Sequence, residues 1–196
     1  MKCTIPDKPF QVVSTDLIGP LETTLEGNKY ILVLTDYLTH YAEIKAMPNK
    51  KADTVAKFLW EIFCEHGVPQ VMYSDSGCEF RNSVLTEMAK NIHLKHVKVA
   101  VYHPASNGLT ERKNASIIEV LRCFKGEKDW DMCLHTAKLA VNGAYNVSLG
   151  DSPYYLYKHQ DVELPITRFM KPRFTYEETL PLKRRGNEGN TWSYKR

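Results

Sequence analysis

The first part of the chain shows a pattern of short β-strands separated by turns. Runs of apolar or alternating residues predict three strands, at 11–17, 30–34 and 41–47. Gly19-Pro20 ends the first strand and Pro48 follows the third. Because only short turns separate these strands, they are predicted to form an antiparallel meander.

The pattern then changes to a helical period. Apolar residues three and four positions apart predict helices at 52–66, 82–91 and 129–145, and short apolar runs predict strands at 68–73 and 96–102. After the last strand we expect a small-residue loop, broken by Pro104 and Gly108. A further helix follows, and its first turns carry Glu111.

This order of elements predicts an α/β fold of one domain. Three antiparallel strands followed by alternating helices and strands fit a five-stranded mixed sheet flanked by helices on both faces. That layout resembles ribonuclease-H-like folds, in which strand ends and one helix converge on an acidic site. We expect this domain to span 10–160, after a lead-in or linker at 1–9. The segment 161–196 is basic and without period, and it is predicted to be an extended or disordered tail.

Composition narrows the class of protein. A chain of 196 residues can bury one sizeable core. No apolar run approaches the roughly 18 residues of a membrane span, and the first residues lack the apolar stretch of a secretory signal, so an intracellular protein without membrane contact is expected. The five cysteines include no C-x-x-C pair, and cysteine and histidine do not combine into a zinc-finger spacing. We therefore expect no structural zinc.

Three carboxylates lie where the predicted layout converges. Asp16 is near the end of the first strand, Asp75 follows the fourth, and Glu111 enters the helix after the fifth. Hard divalent ions prefer oxygen ligands, and two of them about 3.5–4 Å apart can drive phosphoryl transfer. These three residues are therefore the candidate catalytic and metal-binding set.

The residues around these acids resemble a known family. The matching words are DLIGPL at 16–21, SDSGCEF at 74–80 and HPASNGLTERKN at 103–114, with 35 residues between Asp75 and Glu111. In this order and spacing they resemble the catalytic core of retroviral and long-terminal-repeat retrotransposon integrases, especially the Gypsy-like branch. The resemblance covers roughly residues 10 to 160.

The resemblance implies a two-metal polynucleotidyl transferase. Asp16 and Asp75 would share one Mg²⁺ or Mn²⁺, and Asp16 with Glu111 would hold the second. Water would attack the DNA ends of the element, and the freed 3′ hydroxyl would then attack target DNA. The implied partners are DNA and further copies of the chain, and the implied location is the nucleus, or the cytoplasm before import.

The resemblance also implies which residues contact DNA. Some integrases carry lysine one and two turns after the glutamate, where this chain has Ala115 and Ile118. Phosphate contact would then come from Lys113 or Arg122. The predicted DNA-binding residues are Asn107, Gly108, Arg112, Lys113 and Asn114.

Other readings of the acids and of the chain stay open at this point. Asp36, Glu43 and Glu79 offer the same ligand chemistry, but a structural capping role is expected for Asp36 and Glu79. A second functional hypothesis is a host protein derived from such an element, which binds DNA or protein without catalysis. Its motivation is that the chain shows neither an amino-terminal His2Cys2 zinc module nor a carboxy-terminal DNA-binding barrel. A bacterial insertion-sequence transposase core is a third possibility.

Overall fold

The fold is known for most of the chain up to residue 163. A computed structural model describes residues 6–75, 77, 80, 83–98, 104–124 and 129–163, and for 104–107 it describes the backbone alone. All the elements below belong to one compact unit, which ends at Gln160. The tail predicted at 161–196 lies almost entirely outside the described residues, and so do Cys78 and Glu79. The domain boundaries therefore stay predictions.

Five strands form one mixed sheet. In spatial order the sheet runs β3-β2-β1-β4-β5. The first three strands form the predicted antiparallel meander, while β4 and β5 run parallel to β1. The strands are β1 (Val12–Ile18), β2 (Tyr30–Asp36), β3 (Ala42–Met47), β4 (Val71–Ser74) and β5 (Lys95–Lys98).

Five helices accompany the sheet in the described part of the chain. Helix α1 has the predicted bounds and ends before Gly67, whose φ of 91° suits glycine. Helix α5 begins after Ser152, whose side chain accepts a hydrogen bond from the Tyr155 amide. The helices are α1 (Ala52–His66), α2 (Ser83–Asn91), α3 (Pro104–Arg122), α4 (Leu134–Gly143) and α5 (Pro153–Lys158).

The helices cover both faces of the sheet, as predicted. Side chains alternate between the two faces of a strand, so β2 contributes to two separate cores. One core contains Leu32 and Leu34 with buried residues of α1 and α2. The other contains Ile31 and Val33 with buried residues of α3 and α4. Each fully buried aliphatic side chain contributes roughly 1.5–3 kcal/mol, and these two cores hold the helices on the sheet.

The start of α3 differs from the sequence prediction. The loop expected around Pro104 and Gly108 is helical, because α3 begins at Pro104 itself. Proline is tolerated in the first turn of a helix, where its missing N–H would have no partner, and glycine within a helix costs only about 1 kcal/mol. Glu111 consequently lies in the third turn of α3 and not at its start.

The helix predicted at 129–145 is also shorter than expected. It begins at Leu134, and Cys133 stands at its N-cap without a side-chain hydrogen bond. Residues 129–133 form turns instead. The Trp130 indole donates a hydrogen bond to the Glu22 carbonyl at 2.7 Å, which ties this segment to the connection between β1 and β2. Tertiary contact therefore outweighs the local apolar pattern here.

None of the helices within the described ranges is long and apolar enough to cross a bilayer.

A buried carboxylate joins four elements at the edge of the sheet. Glu43 on β3 is 2 % exposed, and its carboxylate accepts a hydrogen bond from Lys138 on α4. Its other oxygen lies 3.2 Å from His66 Nε2 on α1, and His66 Nδ1 lies 2.8 Å from the Tyr157 hydroxyl on α5. Burial raises the pKa of Glu43, but the hydrogen bonds from His66 and Lys138 outweigh burial and hold the pKa below its usual value. Glu43 is therefore a charged structural residue.

Replacing Lys138 by Met should destabilise the fold. The change leaves a buried carboxylate without its ammonium partner, and we expect the free energy of unfolding to fall by about 3 kcal/mol at neutral pH. Because the folded-state pKa of Glu43 is lowered, this difference should be complete above the ordinary pKa of 4.5 and shrink as pH falls below it. Urea denaturation as a function of pH measures both effects.

The control is Lys57→Met, which removes an exposed lysine of α1. It should change the free energy of unfolding by no more than about 0.5 kcal/mol. An equally small change for Lys138→Met would show that Glu43 does not need its partner.

Candidate active site

Two of the candidate acids have corresponding positions on adjacent parallel strands, Asp16 within β1 and Asp75 directly after β4. In the pairing of β1 with β4, Thr15 lies opposite Ser74. Asp16 and Asp75 are the next residues of these two strands, so the register places them side by side at the same edge of the sheet. Asp16 is half-buried and Asp75 is exposed.

Helix α3 brings the third acid to this edge. The hydroxyls of Ser14 and Thr110 share a hydrogen bond of 2.9 Å, and Asn114 Nδ2 donates to Asp16 Oδ2 at 2.7 Å. Thr110 and Asn114 are one helical turn apart, so one side of α3 lies along β1. Glu111 falls between them on the helix and is exposed beside this contact. The helix that carries Glu111 therefore lies against the strand that carries Asp16.

Backbone amides hold two of the carboxylates. Asp16 Oδ1 accepts a hydrogen bond from the Leu17 amide at 2.8 Å, and Asp75 Oδ1 accepts one from the Gly77 amide at 3.0 Å. Within the described ranges, no lysine, arginine or histidine forms an ion pair with Asp75 or Glu111. Carboxylate oxygens that have no basic partner are suitable ligands for a hard divalent cation.

We call the region that contains Asp16, Asp75 and Glu111 the acidic edge. Its carboxylates are not closely clustered. Across the described residues, only Glu43, Glu65 and His66 have three ligand atoms that all lie within 4.8 Å of one another. In that group Glu43 already accepts a hydrogen bond from Lys138, so an ammonium supplies the neutralising charge. Asp16, Asp75 and Glu111 do not approach as closely. Neighbouring carboxylates repel one another until a cation neutralises them.

Two of the residues predicted to contact DNA, Lys113 and Asn114, form hydrogen bonds within the protein. Asn114 donates to Asp16, and its Oδ1 is buried without a hydrogen-bond partner among the residues described. Lys113 is 8 % exposed and its Nζ donates to the Val141 carbonyl at 3.2 Å. Burial lowers the pKa of Lys113 to about 8. Both side chains therefore make contacts within the protein, and their predicted contact with DNA stays a prediction.

The remaining predicted DNA contacts stay predictions. Arg112 is exposed, and Gly108 is half-buried, with Arg112 Nη1 4.0 Å from the position that a Cβ would take there. The Asn107 side chain lies outside what the structure describes. Ser14 and Thr110, which fix α3 on β1, were not foreseen, although Thr110 and Asn114 at one-turn spacing around Glu111 form a recognisable polar side of the helix.

Asp36 has the structural role that was expected. It is fully buried, and its carboxylate accepts hydrogen bonds from the Phe10 amide at 2.9 Å and from the Thr39 amide and hydroxyl at 2.9 and 2.6 Å. Burial raises the pKa of Asp36, although these hydrogen bonds oppose the shift. Asp36 closes the turn after β2 by accepting hydrogen bonds from Thr39. Neither of its carboxylate oxygens is exposed to solvent.

Replacing Asp36 by Asn should lower the free energy of unfolding by about 2 kcal/mol, because an NH₂ group would face buried donors. Urea denaturation measures this loss, and the exposed Asp161→Asn is the charge-matched control with little expected change. Calorimetry with Mn²⁺ should show unchanged binding to the folded variant. Loss of Mn²⁺ binding in a folded Asp36→Asn protein would identify Asp36 as a ligand.

Comparison with known families agrees with this arrangement. A family model described as an integrase core domain matches residues 6–104. The chain is 30 % identical over 163 residues to the retrovirus-related Pol polyprotein from transposon 412 of Drosophila melanogaster. That match covers 82 % of this chain and 13 % of the polyprotein.

A second relative comes from the Gypsy branch, as the motifs predicted. The chain is 23 % identical over 162 residues to the Gypsy retrotransposon integrase-like protein 1 of Bos taurus, covering 81 % of this chain and 32 % of that protein. The chain therefore spans less than a third of the length of either relative.

The fold is that of solved retroviral cores. The HTLV-2 integrase catalytic core domain, solved in complex with magnesium in a trimeric form, superimposes with a TM-score of 0.61 at 18 % identity. The match covers 76 % of this chain and 97 % of that domain. The predicted ribonuclease-H-like fold is confirmed.

Proposed function

Because the chain belongs to the integrase core domain family, we propose that it processes the 3′ ends of element DNA and transfers them to target DNA. Polynucleotidyl transfer is the kind of activity that this family supports. The observation that supports the proposal is that Asp16 on β1 and Asp75 directly after β4 have corresponding positions on adjacent parallel strands, while α3, which carries Glu111, is hydrogen-bonded to Asp16 through Asn114.

We assign the three acids to two divalent ions. Asp16 and Asp75 would hold one Mg²⁺ or Mn²⁺, and Asp16 with Glu111 would hold the other. When bound, such ions activate the attacking oxygen and stabilise the leaving oxygen of a phosphodiester. The magnesium in the HTLV-2 core supports the choice of a divalent ion. Aspartate and glutamate oxygens are also the ligands that Mg²⁺ prefers.

The protein's own contribution is to hold Asp16 in one orientation. Its two oxygens accept hydrogen bonds from the Leu17 amide and the Asn114 amide group, so the carboxylate cannot rotate freely. Asn114 is thus a positioning residue for the shared ligand. Asp75 and Glu111 are exposed, which leaves room for a DNA phosphodiester to reach them. Positioning of reacting groups is a large part of catalysis in phosphoryl transfer.

DNA would approach along the solvent side of α3. Arg112 follows Glu111 directly and is exposed, and Asn107 and Gly108 lie one turn earlier in the helix. We therefore retain these three as proposed DNA contacts. Joining two DNA ends in one reaction requires more than one active site, so we also propose that copies of the chain assemble. The nucleus, where target DNA is found, is the proposed location.

Replacing Asp75 by Asn should reduce strand transfer at least about a hundredfold, because a neutral amide is a poor ligand and does not offset a cation's charge. The assay uses Mn²⁺, a labelled duplex with a 3′ hydroxyl end and a plasmid target. Asp53→Asn removes an exposed carboxylate of α1 and should keep full activity. Unchanged strand transfer by Asp75→Asn would contradict the proposal.

Mn²⁺ should also stabilise the folded protein. A ligand at about 100 times its Kd adds about 2.7 kcal/mol to the free energy of unfolding. Mn²⁺ should therefore raise the midpoint temperature of thermal unfolding in the wild type and in Asp53→Asn. The increase should be much smaller in Asp16→Asn and Glu111→Gln. Equal shifts in all four proteins would place the bound ion elsewhere.

A further inference from the structure

A groove lies on the flank of α3 that faces away from the acidic edge. Its volume is about 540 Å³, which is within the usual range for small-ligand sites. Leu109, Arg112 and Ser116 of α3 line one wall, and the end of α4 with the residues after it lines the other. At about 100° per residue these α3 positions point away from Glu111. We call this space the α3–α4 groove.

The α3–α4 groove collects positive charge. Arg112, Lys113 and His40 all line it, and no aspartate or glutamate is present among its described lining residues. Burial lowers the pKa of His40 to about 4, and repulsion from Lys113 and Arg112 adds to this effect. His40 is therefore neutral at pH 7 and can both donate and accept hydrogen bonds.

Lys113 is a buried cation, and the residues that the structure describes include no anionic partner for it. It is 8 % exposed, and its Nζ donates a hydrogen bond to the Val141 carbonyl. Over the ranges that the structure describes, no carboxylate forms an ion pair with Lys113 or Arg112. An ammonium group has three donors, and buried charges in proteins are normally paired. An anion bound in the groove would supply the ion-pair partner for Lys113 and Arg112.

Part of the role of Lys113 is structural. Val141 lies in the last turn of α4, and its carbonyl is one that the helix itself leaves without a partner. A lysine at this position stabilises the negative end of the helix. This accounts for one of its three donors and for none of the charge on Arg112. A purely structural lysine also would not require an adjacent open groove with a second cation.

We propose that the α3–α4 groove binds a phosphate oxyanion, with Arg112 and Lys113 as the cations and a phosphodiester group of DNA as the source. Guanidinium groups recognise phosphate through paired hydrogen bonds, and an ammonium adds a point charge. The choice of DNA as the source rests on the proposed function. The groove would hold a strand on the flank of α3 opposite Glu111, so that one helix touches DNA on both sides.

The test measures DNA binding without catalysis. Fluorescence anisotropy of a short labelled DNA duplex is recorded in EDTA with the full chain. Arg112→Ala should weaken binding about tenfold and reduce the slope of log affinity against log salt by about one. Ser116→Trp keeps both cations but fills the groove, and it should weaken binding by about the same factor. Lys57→Ala, on the other face of the sheet, should bind like the wild type.

Three results would overturn the proposal. If Ser116→Trp binds DNA normally, Arg112 contacts DNA outside the groove. If neither variant loses affinity, the groove takes no part in DNA binding. If inorganic phosphate shifts the amide NMR signals of Ala144 and Ser148 but the duplex does not, the source is free phosphate. Circular dichroism melting of each variant confirms that it is folded.

The DNA-binding test of the α3–α4 groove is independent of the strand-transfer assay. Binding in EDTA does not need the acidic edge, so normal DNA binding with no strand transfer would overturn only the proposed activity. Active strand transfer with unchanged binding by Arg112→Ala and Ser116→Trp would overturn only the groove.

Discussion

The hydrogen-bonded contact between β1 and α3 is the constraint on which the candidate site depends. Ser14 with Thr110 and Asp16 with Asn114 connect the central strand to the helix that carries Glu111. Ser14 and Thr110 are 5 % and 8 % exposed, and a buried hydroxyl left without its partner would cost about 1–3 kcal/mol. The rotation of α3 about its axis is therefore fixed by polar contacts as well as by the core below it. That rotation decides which residues reach Asp16.

The same helix separates opposite charges onto two flanks. Glu111 lies between Thr110 and Asn114, which contact β1, whereas Arg112 and Lys113 line the groove on the other flank. Adjacent residues on a helix point about 100° apart, so a three-residue stretch can serve both surfaces. A divalent cation and a phosphate group are the matching ligands for these two surfaces. The arrangement is consistent with one nucleic-acid substrate that meets α3 on both sides.

Acids of the same type have different roles according to their surroundings. Glu43 and Asp36 are buried, and protein donors surround both of them. Asp75 and Glu111 are exposed and form no ion pair with the described basic residues. A carboxylate surrounded by protein donors has little capacity left for a metal, while an exposed one retains it. Burial and hydrogen bonding therefore separate the structural acids from the candidate ligands.

The sequence by itself determined the strand and helix order, the mixed five-stranded sheet and the family, because apolar periodicity and short motifs are local properties of the chain. The tertiary structure alone decided that Pro104 begins α3, that Trp130 is held in a turn, and that Lys113 and Asn114 point inward. The positions of the last three side chains depend on a partner distant in sequence, namely Glu22 for Trp130, Val141 for Lys113 and Asp16 for Asn114. A linear pattern contains no information on such partners, because they become neighbours only when the sheet and its helices pack.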